Sequence, residues 1–254
     1  MARRAVTLFL ACAVSLIAAG CASSPGGYTW GWYIFNPLAA KGLGNLQFMA
    51  AGLGLTIALA VSAIVLSVLV GVTMAMASLS PSRLLRGGSR VYVECLRAIP
   101  LLVLLLWVYY GLPVITGLQF SAFTAGVLSL ALSDSAFEAE VFRAGIQSVP
   151  KGQREAARSL GLSSWHTFRL VIFPQAIRTI LPALGNQFVY VLKMSSLVSV
   201  IGLQELTRRA NELNVTEYRP LEIYTLLVLE YLVLILLTSW GVRALERRLN
   251  RHQH

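Results

Sequence analysis

A chain of 254 residues that is 56% hydrophobic and only 13% charged does not fit a soluble globular domain. Its formal net charge of +10 does not point to nucleic acid, because the cations sit in short loops between apolar runs. Three cysteines are too few for a disulfide framework, and Cys95 is expected to be a reduced, structural thiol.

Residues 1–21 have the form of a signal peptide: Arg3 and Arg4, an apolar core from Ala5 to Ile17, then Ala18-Ala19-Gly20-Cys21. The last four residues resemble a lipoprotein cleavage box, which would leave Cys21 lipidated. An uncleaved extra anchor and a start codon placed too early are the alternatives. Residues 22–47, with interfacial aromatics Trp30, Trp32 and Tyr33, predict an exported linker.

Residues 42–82 and 98–133 contain no Asp, Glu, Lys or Arg. Each is longer than the roughly 20 residues that cross a bilayer. The chain is therefore expected to be an all-α integral membrane protein, with one transmembrane domain over 48–245 and a basic tail at 246–254. The first span is predicted over 49–76, where Gly52, Gly54 and Gly71 suit close helix packing. A loop with Arg83, Arg86 and Arg90 follows, then spans over 91–111 and 120–142. Beyond a polar island come a span over 180–202, an outer loop over 203–220 and a fifth span over 222–242. Cations crowd the 80–90 loop, the island and the tail (Arg243, Arg247, Arg248, Arg251). In the outer loop Arg208, Arg209 and Arg219 are offset by Glu205, Glu212 and Glu217. The positive-inside rule then puts the island and the C-terminus in the cytoplasm.

The island, Ser148 to Pro174, carries its own punctuation. Ser148 and Pro150 read as a helix start, residues 151–160 as good helix formers, and Gly161 as a left-handed stop. Ser163 or Ser164 caps a second helix that is expected to run to Phe173 and be broken by Pro174. Ala156, Ala157 and Leu160 share one side of the first helix, and Arg154 and Arg158 the other. Trp165, Phe168 and Ile172 line one face of the second. A short amphipathic hairpin outside the bilayer suits a groove on another protein.

Glu155-Ala156-Ala157 followed by Gly161 and Pro174 resembles the EAA loop of permease subunits of bacterial ATP-binding-cassette importers. The run Ala139-Glu140, Arg143, Gly145 to Pro150, Gly152-Gln153 and Phe173 to Ala176 narrows the resemblance to the polar amino-acid uptake branch. Tyr92-Val93-Glu94, Arg97 and Pro100-Leu101-Leu102 extend it, although Ala98-Ile99 replaces the usual Gly-Thr. The resemblance implies a five-span type I importer core with its coupling loop between the third and fourth spans. It also implies a pair of ATPase subunits, a periplasmic solute-binding protein, a second permease chain (identical or a sister) and an amino-acid substrate, in the bacterial inner membrane. Glu155 would meet a basic group of the ATPase, Gly161 would make the turn, and Trp165 and Phe168 would anchor the hairpin or pack back on the permease.

The chain itself lacks a phosphate-cradling lysine. Lys41, Lys151 and Lys193 follow Ala, Pro and Leu, not the glycine of a Walker loop. No bound cofactor is expected, and Mg-ATP belongs to the partner. His166, His252 and His254 all fall in cytoplasmic segments, which argues against an intramembrane enzyme. Ionisable groups inside spans are functional suspects. Asp134 and Glu138 are one helical turn apart and need neutralising. Lys193 either pairs with them or meets a substrate carboxylate. Ser195 and Ser196 follow Lys193, with Met194 where the family shows a polar residue. Glu140 pairs locally with Arg143, and Glu230 is expected to find a partner in the bundle or water in the outer half. The rival function is an ion-coupled secondary transporter using Asp134, Glu138 and Lys193; a third, a lipid-anchored receptor, rests on Cys21 alone and leaves five spans unexplained.

Overall fold

The structure, a computed structural model, describes residues 28–250; the signal-like segment 1–21, with Cys12 and Cys21, and the tail histidines His252 and His254 lie outside the described residues. Every regular element among the described residues is helical. A 3-10 turn at Trp32–Phe35 leads into α1 (Ala40–Ala50) and α2 (Gly52–Leu79). Then come α3 (Arg83–Ala98), α4 (Leu101–Leu106), a π-helical turn at Trp107–Gly111, and α5 (Leu112–Thr116). The long α6 (Ala122–Gln147) is followed by α7 (Lys151–Ser159), α8 (Ser164–Thr167), a π-helical turn at Phe168–Ile172 and α9 (Phe173–Met194). A 3-10 stretch at Ser195–Ile201, α10 (Leu206–Glu217) and α11 (Pro220–Asn250) complete the chain.

The bundle is organised around α2 against α6. Along α2 the residues Ala63, Ser67, Gly71 and Ala75 recur every fourth position, and all are buried. Small side chains at that spacing let two backbones approach, so van der Waals contact replaces the hydrophobic drive that a lipid solvent cannot supply. Leu59 and Ala60 of α2, Ala125 and Leu130 of α6, Leu105 of α4 and Leu192 of α9 close the middle of the core. A second cluster joins Ala75, Phe142, Ile172, Ala176 and Ile180 at the end of the bundle that carries α7.

Among the described residues, three helical runs are long and apolar enough to cross a membrane: Lys41–Leu79, Ser164–Ile201 and Pro220–Arg247. Arg83–Ala98 with Leu101–Thr116 passes only as a pair bent by 100°. The expected second span over 91–111 is therefore corrected to two helices that meet at a bend. Ile99 is extended at φ −89°, ψ 124°, as a residue before proline prefers, and Pro100 has no N–H with which to continue the helix. Helix α6, the expected third span, is not among these runs, since Asp134, Glu138, Glu140 and Arg143 lie along it. Its central position explains that composition: it is wrapped by other helices and needs no lipid-facing apolar surface.

Two segments expected to be irregular are built into the fold. From Tyr28 onward the supposed linker packs, with Ile34, Phe35 and Met49 buried against Ala210, Leu213 and Ile223. The expected outer loop contains α10, whose N-terminus is capped by the Glu205 carboxylate accepting from Arg208 N at 2.8 Å. Together they form a cap at the end of the bundle opposite α7. Glu222 accepts from the Tyr28 hydroxyl and the Gly31 N–H, and Arg219 donates to the Thr29 carbonyl at 2.7 Å. Lys41 pairs with Glu217 at 3.0 Å and Arg208 with Glu212 at 2.8 Å, while Arg209 donates to the Phe48 carbonyl at 3.1 Å. Cys95 is exposed on α3, and its expected structural role finds no core contact.

Candidate functional site

The polar island folds as a hairpin, with two corrections at its ends. Ser148 closes α6: its Oγ donates to the Gly145 carbonyl at 2.7 Å, and Pro150 takes the capping position of α7 with no side-chain bond. Gly161 has φ 77°. Around it Leu162 N donates to Ala157 O at 3.1 Å and Gly161 N to Arg158 O at 2.9 Å, the paired bonds of a Schellman stop. Ser163 caps α8, accepting from His166 N at 3.4 Å. Pro174 does not end the second helix, which runs unbroken from Ser164 to Ile201. The π-helical turn just before it shifts the bonding by one residue, with Phe173 N donating to Phe168 O. That extra residue accommodates a ring with no N–H to give.

The hairpin is held by one face and open on the other. Ala157 and Thr167 are buried, and Arg154 donates to the Ile146 carbonyl at 2.8 Å. Glu155, Ala156 and Leu160 are exposed, so the expected apolar side of α7 is split: only Ala157 turns inward. The Glu155 carboxylate is in none of the ion pairs among the described residues. Trp165 is 63% exposed and stacks on Phe168, ring centroids 6.2 Å apart. Phe168 in turn packs on the Ile172 cluster, so of the two aromatics only Trp165 is largely free.

The ionisable residues of the bundle do not form one constellation. Asp134 is buried and accepts from Ser67 Oγ at 2.7 Å and Gln187 Nε2 at 3.2 Å, which ties α6 to α2 and α9. Glu138 is fully buried, and neither carboxylate oxygen has a partner among the described residues. It lies against Gly71, where an added Cβ would come within 2.5 Å of the Glu138 Cβ. Lys193 is not near them in any bond or ion pair; it is exposed on another flank of α9. The expected internal pairing is therefore wrong, because Gln187, not Lys193, occupies the side of α9 that faces α6. Ser195 and Ser196 donate to the Leu192 and Lys193 carbonyls of their own helix. Glu140 and Arg143 pair as expected. Glu230 is half-buried, with one carboxylate oxygen unpartnered.

Lys193 instead lines a groove of about 550 Å³ between α9 and α11, with Asn186, Tyr190, Ser239, Arg243 and Glu246. Sequence reading missed Asn186, Tyr190 and Ser239; the signal was the recurrence of Asn186, Tyr190 and Lys193 at helical spacing in an apolar run. Ser67 and Gln187 were missed for the opposite reason: isolated polar residues carry no periodicity.

Outside the spans, burial displaces two groups of the opposite cap from their ordinary ionisation. Burial pushes the Glu205 carboxyl up, only partly offset by N–H donation from Thr207 and Arg208 and by the Tyr231 hydroxyl. Burial and the neighbouring Glu222 push the Tyr28 hydroxyl up as well.

Residues 67–251 match the family described as binding-protein-dependent transport system inner membrane component. The probable amino-acid ABC transporter permease protein YckA of Bacillus subtilis is 35% identical over 216 residues, 85% of this chain and 94% of that protein. The glutamine transport system permease protein GlnP of Escherichia coli K12 is 41% identical over 160 residues, 63% of this chain and 73% of GlnP. Among solved structures, an amino acid ABC transporter with histidines superposes with TM-score 0.76 at 42% identity, covering 81% of this chain and 96% of that one. The inward-facing MetNI methionine ABC transporter shares the fold, with TM-score 0.69 at 18% identity over 81% of this chain and 98% of its own.

Proposed function

We propose a function from one premise: this chain belongs to the family of binding-protein-dependent transport system inner membrane components. It is the permease subunit of an ATP-binding-cassette importer, and its cargo is a polar amino acid. Relatives named for amino-acid, glutamine and arginine transport support that substrate class. The five crossings are Lys41–Leu79, the bent pair of α3 with Leu101–Thr116, α6, the long helix through α9, and α11. The hairpin and the C-terminus face the cytoplasm, and the cap of residues 28–50 and 203–223 faces the side from which a solute-binding protein delivers ligand.

The exposure of Glu155 on a hairpin anchored only from behind carries the coupling role. A rigid elbow, stopped at Gly161 and fastened through Arg154 and Ala157, transmits a push where a flexible loop would absorb it. Glu155, Ala156, Leu160 and Trp165 offer the contact to a separate ATPase, which binds the Mg-ATP; Gly161 and Pro174 set the shape, and Phe168 backs Trp165. This chain supplies shape and the pathway and catalyses no chemical step.

A polar groove cannot face acyl chains without cost. The groove with Lys193, Tyr190 and Asn186 therefore faces a second permease chain, identical or a sister, and the water-filled path between them. There Lys193 meets a substrate carboxylate. Asp134 and Glu138, enclosed by α2, α6 and α9, hold those helices in register and do not touch cargo. Their separation from Lys193 removes the relay that an ion-coupled secondary transporter would need.

The test is Glu155→Lys. The variant should insert in the membrane at wild-type level, yet fail to co-purify with the ATPase and lose ATP-dependent uptake of labelled amino acid. Unchanged uptake would defeat the proposal.

A further inference from the structure

Helix α3 has a construction that the transport reading does not use. Its buried side is Ser89 and Val93, with Ser89 Oγ donating to the Met74 carbonyl at 2.8 Å and Tyr92 bonding Ser135 at 2.7 Å. The remainder divides into two stripes. Arg83, Arg86 and Arg90, at i, i+3 and i+7, share one flank and are all exposed. Leu84, Val91 and Cys95, at i, i+7 and i+11, share the other; Leu84 is 84% and Val91 60% exposed. Arg97 lies over the Phe137 ring at 5.1 Å and is already engaged. Glu94 is the single acid of the helix and forms no ion pair among the described residues. Arg86 reaches the Ser80 carbonyl at 3.1 Å, which leaves its charge uncompensated.

The bend of 100° at Pro100 turns α3 away from the direction of α4 and α5. A helix with a basic flank, an apolar flank and a third side against the protein fits a membrane interface, where one flank meets headgroups and the other acyl chains. We infer that the N-terminal half of α3 is a binding surface for anionic glycerophospholipid, with Arg83, Arg86 and Arg90 on the phosphates and Leu84 and Val91 among the chains. The occupant follows from charge: the flank carries three cations against one carboxylate, Glu94, a turn beyond Arg90, and this net positive stripe matches a leaflet of negative headgroups; an exposed apolar stripe beside it has no use in a purely polar contact. The inference rests on the cytoplasmic placement of residues 80–90 proposed above.

The test uses the purified full chain and measures phosphatidylglycerol retention by native mass spectrometry, with phosphatidylcholine as the reference lipid. Wild type should retain phosphatidylglycerol preferentially, and that preference should shrink in concentrated salt. The combined variant Arg83→Gln, Arg86→Gln, Arg90→Gln should bind phosphatidylglycerol at least about tenfold more weakly, with phosphatidylcholine unaffected. Lysine at the same three positions should keep the preference, which separates charge from any folding defect. Equal retention of the two lipids by wild type, or undiminished phosphatidylglycerol binding by the glutamine variant, would overturn the inference. So would a glutamine variant that keeps the lipid and loses its ATPase partner, since the stripe would then be a protein contact. In a background with Cys12, Cys21 and Cys95 replaced by serine, a Ser82→Cys thiol labelled by impermeant maleimide from outside intact cells would refute the orientation instead; the lipid titration reads the affinity independently.

Discussion

Glu138 and Glu155 stand on consecutive helices in opposite surroundings. Glu138 is enclosed between α6 and α2 with no partner for its carboxylate among the described residues and with Gly71 pressed against it. Glu155 is exposed on a hairpin fastened through the Arg154 bond to the Ile146 carbonyl and the turn at Gly161. The interior of the bundle tolerates almost no change of volume, because it is close-packed through small residues. The hairpin tolerates change on its exposed side and depends on local backbone geometry. One region keeps the helices together; the other presents an exposed face, the one proposed above to meet a partner.

Packing gives the largest expected effect. Gly71→Val should destabilise the protein by about 1–3 kcal/mol or more through overpacking, seen as a lowered thermal midpoint in detergent and reduced yield. Because the clash is with the Glu138 Cβ, pairing Gly71→Ala with Glu138→Gly should recover part of the loss that Gly71→Ala causes alone. Additive losses would show that the two residues are not in contact.

Backbone strain in the hairpin comes next. Gly161→Ala should cost about 1–2 kcal/mol locally, the strain of a left-handed residue with a Cβ. Its signature should be faster hydrogen exchange across Lys151–Ser159 and weaker coupling, with the thermal midpoint of the bundle little changed. A lowered global midpoint would erase the distinction between the two regions.

Glu205 supplies the smallest effect and the sharpest control, since it is as buried as Glu138 yet fully partnered by Arg208 N and the Tyr231 hydroxyl. Burial raises its native ionisation above the ordinary value of 4.5, so the folded protein holds the proton to higher pH than the unfolded chain. Its contribution to stability is therefore greatest at low pH and falls as pH rises from about 4.5 through the raised native value. Glu205→Gln should remove that slope, at most about 1.4 kcal/mol per pH unit, and should be the more stable form at neutral pH. Identical pH profiles of the thermal midpoint for wild type and variant would contradict this.

Much of the hairpin was legible because its signals are local. A left-handed glycine, a serine cap and a proline each act on bonds within a few residues, so Gly161 and Ser163 behave as the string suggests. Ser148 and Pro174 do not, because a cap has competing acceptors nearby and a π-helical turn can absorb a proline. The bend at Pro100 was written in the chain but hidden by the apolar run on both sides of it. The cap containing α10 was illegible for a different reason: residues 28–35 and 205–223 make sense only together, through Glu222 and Arg219.

Sequence alone determined that this chain lives in a membrane and that a punctuated elbow interrupts its apolar helices. Those properties follow from solvent preference and from backbone bonds between near neighbours. Tertiary structure alone decided that Asp134 answers to Ser67 and Gln187, that Lys193 turns to a groove and not to the buried acids, and that α6 is the enclosed centre of the bundle. Helix periodicity says which residues share a face; only the packing of one helix on another says what that face meets.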